Sequence, residues 1–66
     1  MNLEIGKTYH LEEVNIPNFC LENGDYLLMN NSEDEKTFCF YKVENGKELI
    51  LTIKQLEHIN IKEVQP

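Results

Sequence analysis

Two cysteines (Cys20, Cys39), two histidines (His10, His58), a single serine (Ser32) and an acidic run are the residues here whose types could do chemistry. Nucleophilic catalysis needs a Ser or Cys beside a base that a third group holds in place. Ser32 lies in a polar stretch with no histidine near it in sequence. A pairing of Cys20 or Cys39 with His10 or His58 stays open on sequence alone, but half-buried structural thiols are commoner than catalytic ones in a chain too short to build a cleft. Metal ligation would need short paired spacings that put two ligands on one loop, and these four side chains are scattered. The acidic stretch Ser32 to Glu35 lacks the alternating oxygen ligands and the glycine of a calcium loop. The three glycines, Gly6, Gly24 and Gly46, each stand at a turn and form no phosphate-cradling loop. The chain is therefore expected to be no enzyme, with no catalytic, cofactor or metal site.

The elements that position these residues read as β-structure. The stretch Thr37 to Ile53 holds two β-rich runs joined at Asn45-Gly46, the strongest short-range hairpin signal. A two-residue turn there would pair Glu44 with Lys47, Lys42 with Leu49, Phe40 with Leu51 and Phe38 with Ile53, placing both phenylalanines inside. A three-residue loop with a bulge would slip the register by one and turn Cys39, Tyr41 and Val43 inward instead. Upstream, Tyr9 and Leu11 share one face of a first strand, with His10 and Glu12 on the other. Pro17 confines the stretch before it to an edge or loop, and Asn23-Gly24 marks a second tight turn before an apolar run. Residues 30 to 36 form a polar, acidic loop with nothing to bury, expected to be mobile. Residues 54 to 58 fit a single helical or 3₁₀ turn, and Ile59 and Ile61 begin a last short strand. Together they predict one all-β domain over residues 1–66. It is a small barrel of five strands near 8 to 14, 25 to 30, 37 to 44, 47 to 53 and 59 to 64, with one 3₁₀ turn before the last.

Phe19, Leu21, Gly24, Asp25 and Leu27 resemble the diverging turn of the Src-homology-3 (SH3) fold. The downstream order is similar to that family as well: an acidic loop, a hairpin with a tight distal turn, a 3₁₀-like turn at Gln55 to His58 and a closing strand. The resemblance implies an SH3-like barrel. It does not imply proline-rich peptide binding, because only Tyr9 matches the family's aromatic ligand run. Thr37 and Phe38 stand at the tryptophan position, and Ile53 or Lys54 at the proline position.

Size and charge limit the partner. A chain of 66 residues has room for one core, and buries only about 60% of its unfolded surface. No apolar run approaches a membrane span, and the opening residues lack the basic and apolar regions of a secretory signal, so a cytoplasmic protein is expected. Two cysteines make no disulfide framework and read as free thiols, although one bridge between them stays open; folding is expected to need neither oxidant nor metal. Net charge is −6, and residues 1 to 35 hold eight acids against Lys7 alone. Such a surface repels nucleic acid. The acids could be plain solubilising charge. The functional alternative is a protein-binding module, a stand-alone inhibitor or accessory factor, expected to dock a basic surface of a nucleic-acid-handling protein. Its expected contacts are an acidic rim of Glu12, Glu13, Glu22, Glu33, Asp34 and Glu35, with Tyr41 and Ile50 as apolar anchors beside Val43. Another segment of the chain could instead cover the apolar patch. A barrel that binds nucleic acid or a small ligand directly is the alternative function, and charge weighs against it.

Overall fold

Side chains alternate across a strand, and in the computed structural model, which describes residues 3–13 and 21–64, that alternation sorts core from surface. Five strands form: β1 (Thr8–Glu13), β2 (Gly24–Asn31), β3 (Thr37–Lys42), β4 (Glu48–Thr52) and β5 (Ile59–Glu63). One helical turn, α1 (Ile53–Leu56), joins β4 to β5. The strands make a single antiparallel sheet in the order β4-β3-β2-β1-β5, so β4 and β5 are its edges. The five-stranded all-β architecture expected from the sequence is the one observed. The strand ends differ by one or two residues at most places, because ladder pairing stops where the loops begin to turn.

The core gathers the inward residues of every strand. Tyr9 and Leu11 come from β1, Tyr26 and Leu28 from β2, Phe38 and Phe40 from β3, Leu51 from β4 and Ile59 from β5, with Leu21 and Leu56 added from outside the sheet. Phe40, Leu11, Leu28, Leu51 and Leu56 are fully enclosed. Burying a side chain of this size contributes about 1.5–3 kcal/mol, so these few residues dominate the stability of so short a chain. Tyr26 meets Phe40 edge to face, with ring centroids 6.4 Å apart. Both buried tyrosines carry their hydroxyls to polar partners: Tyr26 Oη donates to the Glu22 carbonyl at 2.7 Å, and Tyr9 Oη accepts from the Glu4 N–H at 2.9 Å.

The central hairpin keeps the expected faces in a different register. Phe38 pairs with Leu51 and Phe40 with Leu49, two residues away from the predicted partners. Because side chains alternate with a period of two, a slip of two leaves both phenylalanines inside, whereas a slip of one would have inverted the sheet. Lys42 and Lys47 close the loop through the Lys42 N–H to Lys47 carbonyl bond at 2.8 Å, leaving four loop residues, Val43 to Gly46. Only Gly46 of the Asn-Gly pair adopts positive φ, at 77°, so the turn is not the type I′ turn expected. The Asn45 carboxamide oxygen instead accepts the Lys47 N–H at 3.0 Å.

Two further expectations change, and a third is roughly met. Gly24 is the first residue of β2 and pairs with Leu11, so Asn23-Gly24 does not form a hairpin turn. Asn23 uses its side-chain oxygen to accept the Glu13 N–H at 2.9 Å. The helical turn expected before the last strand is present at Ile53–Leu56, overlapping the expected 54 to 58, and begins where Thr52 caps it in a reciprocal capping box with Gln55. The acidic loop is tied down: Ser32 N–H donates to the Thr37 carbonyl at 2.8 Å, while Ser32 Oγ accepts from the N–H groups of Lys36 and Thr37. Of the residues that resemble a diverging turn, Leu21 is buried and Gly24, Asp25 and Leu27 lie in β2, while Phe19 falls outside the described residues, as do Pro17 and Cys20.

Candidate functional site

Outward positions on β2, β3 and β4 build an exposed apolar face. Cys39 pairs with Ile50 and Tyr41 with Glu48, so Tyr41 and Ile50 sit on adjacent strands one step apart along the same face. Ile50 is 63% exposed and Tyr41 39%. Val43 and Met29 are exposed as well. Met29 reaches the surface by alternation with the inward Leu28, and the bulge between Leu28 and Asn30 leaves it outside the ladder pairing and turns Asn30 outward as well. Cys39, half-buried beside Ile50, is a free thiol.

The acidic residues expected to make one rim are divided between the two ends of β2. Both β1 and β3 run antiparallel to β2, so the end of β1, with Glu12 and Glu13, meets the start of β2 at Gly24, where Glu22 also lies. Glu33, Asp34 and Glu35 occupy the loop at the far end, beyond Asn31, a full strand length away, roughly 20 Å. A single field from all six is thus corrected by the topology. What the fold brings to the Tyr41–Ile50 face is a different set. The 33–35 loop leads into Thr37, beside Cys39 and Ile50, while Glu48 faces Tyr41 and Glu44 stands in the adjoining loop. Glu48 shares an outward face with Ile50 and Met29 alternates with the inward Leu28, signals that could have placed both; the bulge after Leu28 had none.

Two ion-paired clusters adjoin that face, one turned inward at the end of β3 and one on the outward side of β1 and β2, where Asp25 neighbours Val43. Lys42 points inward from the end of β3, and its side chain is only 7% exposed. Its ammonium lies 2.5 Å from Glu22 Oε2, which raises the lysine pKa and lowers that of Glu22. On the outer face of β1, His10 is held between two carboxylates: Nδ1 lies 2.8 Å from Asp25 Oδ1 and Nε2 lies 3.1 Å from Glu12 Oε1. A neutral imidazole has one N–H to give, so two acceptors are satisfied together only by the imidazolium. The hydrogen bond to Asp25, then that to Glu12, holds His10 above its ordinary pKa of 6.5. The pair Asp25 and His10 is distant in sequence and follows only from the β1–β2 register, in which they are direct partners.

A hollow of about 600 Å³ opens between Lys7, Asp25, Val43 and Val64. Its one lysine is already engaged, with Glu4 at 2.9 Å and Glu63 at 3.3 Å, so it offers an anionic ligand no free cation. Among the described residues no group of three or more His, Cys, Asp or Glu side chains is arranged to hold a metal ion. None of their helices is long and apolar enough to cross a membrane.

Fold and surface together define a small all-β protein with an acid-flanked apolar face on one five-stranded antiparallel sheet. Compared with known proteins, the chain matches no family model, no curated protein and no solved structure.

Proposed function

We propose that this protein is a non-catalytic binding module, acting in the cytoplasm as a stand-alone inhibitor or accessory factor, that docks its Tyr41–Ile50 face on a basic surface of a nucleic-acid-handling protein. The side-by-side exposure of Tyr41 and Ile50 between acidic groups carries the reading. Large apolar and aromatic side chains are the anchors of desolvated contacts, while acids around them speed encounter with positive partners. Net charge of −6 favours such partners and disfavours nucleic acid itself. The engagement of Lys7 and Lys42 by carboxylates supports the same preference, since neither cation is left for a phosphate. The strand order and the helical turn between β4 and β5 support an SH3-like barrel for the module.

The test is capture of partners from cell extract followed by association kinetics with the purified partner. Charge reversal of Glu33, Asp34 and Glu35 to Lys should slow association at least tenfold at low salt, and Tyr41→Ala should mainly speed dissociation. A partner that binds both variants with unchanged rates overturns the reading.

A further inference from the structure

We propose that the free edge of β4 is a strand-addition site, and that an extended basic segment of the partner pairs with it as a sixth strand. The inference rests on the basic-partner reading above and names how that partner is held.

Among the described residues the sheet order leaves β4 with β3 on one side and no strand on the other. Antiparallel ladders alternate pairs that exchange hydrogen bonds with pairs that do not. The Lys42–Lys47 pair is bonded, so the pairs Phe40–Leu49 and Phe38–Leu51 are the bonded ones along β4. Glu48 and Ile50 therefore turn their N–H and C=O groups away from β3, toward the open side. Thr52, the next outward residue, is already used: its N–H donates to Gln55 Oε1 at 2.8 Å and it caps α1. The open window is thus Glu48 to Ile50, with α1 as its stop.

Exposed edges are ordinarily protected by lysine, proline or a bulge. Here β4 reads Glu-Leu-Ile-Leu-Thr, with none of these, and its outward side chains Glu48, Ile50 and Thr52 are all exposed. An incoming strand would find backbone partners at residues 48 and 50, an apolar neighbour at Ile50 and a carboxylate at Glu48. The acids at both ends, Glu44 and Glu48 at one and the 33–35 loop at the other, set its charge as positive. Main-chain bonds then supply affinity and alternate side chains supply selectivity.

The probe is a five-residue peptide alternating lysine and valine, titrated into the full chain while amide exchange and chemical shifts are followed by NMR. The Glu48 and Ile50 amides should gain at least tenfold protection from exchange. The same peptide with alternate amides N-methylated should bind at least tenfold more weakly at equal charge. Ile50→Pro should weaken the unmodified peptide at least as much, because it removes an outward N–H that the β3–β4 ladder does not use together with the apolar Ile50 side chain. If that variant fails to fold, protection in the unsubstituted chain still decides. Equal binding of the N-methylated peptide, or no protection at Glu48 and Ile50 with any peptide, overturns strand addition and leaves the basic-partner reading standing. Equal protection by an uncharged threonine–valine peptide supports strand addition and sinks the basic partner instead.

Discussion

The hydroxyl of Tyr41 lies over Gly46, so close that a β-carbon on the glycine would stand 2.8 Å from it. The anchor of the exposed face is thus braced by the loop that follows its own strand. Gly46 also sits at φ 77°, where an L side chain costs roughly 1–2 kcal/mol. Gly46→Ala should lower unfolding free energy by about that amount in urea titration, and it should displace the Tyr41 ring. The double variant Gly46→Ala, Tyr41→Ala should recover part of the loss; strict additivity would show that the ring and the loop do not touch.

His10 predicts a pH dependence with a definite sign. Its folded pKa is raised above 6.5 by Asp25 and Glu12, so its contribution to stability is fully present below about pH 6.5 and fades as pH rises through the folded value. The other charged group facing it is Lys62, its partner on β5, whose positive charge opposes the imidazolium. Urea unfolding measured between pH 5 and 9 should show this decline. His10→Gln should flatten it; an unchanged slope in that variant would assign the effect elsewhere.

Glu35 is the one non-glycine residue in the described chain with positive φ, at 58°. Asparagine tolerates that conformation better than glutamate, because its short side chain bonds locally. Glu35→Asn should stabilise the protein by about 0.5 kcal/mol, read as a raised melting temperature. A fall in melting temperature would mean that the glutamate side chain makes a compensating contact.

How much of this was legible depended on how local each signal is. The alternation of Tyr9 with Leu11 and of Phe38 with Phe40 is written in neighbouring residues, and it correctly sorted inside from outside. Loop length is not so written: Asn45-Gly46 announced a turn, but whether the chain closes after two residues or four depends on which carbonyl Lys42 meets. The acidic rim failed for a related reason. Glu12 and Glu33 are assigned to opposite ends of β2 by strand direction, a global property to which residue type contributes little. The same holds for the Asp25, His10 and Glu12 cluster, which exists only once β1 and β2 are in register.

The bulge at Met29 has a consequence best put in terms of phase. Before it, even-numbered residues of β2 look inward, as Tyr26 and Leu28 do; after it, odd-numbered Asn31 pairs with the inward Phe38. One residue has been spent on advancing the beat, so the strand serves two rhythms, one kept with β1 and the other with the end of β3. Deleting Met29 would restore a single unbroken rhythm without changing any other partner in the ladder. Met29 is therefore a frameshift written in side chains, whose effect on inside and outside ends where the strand ends.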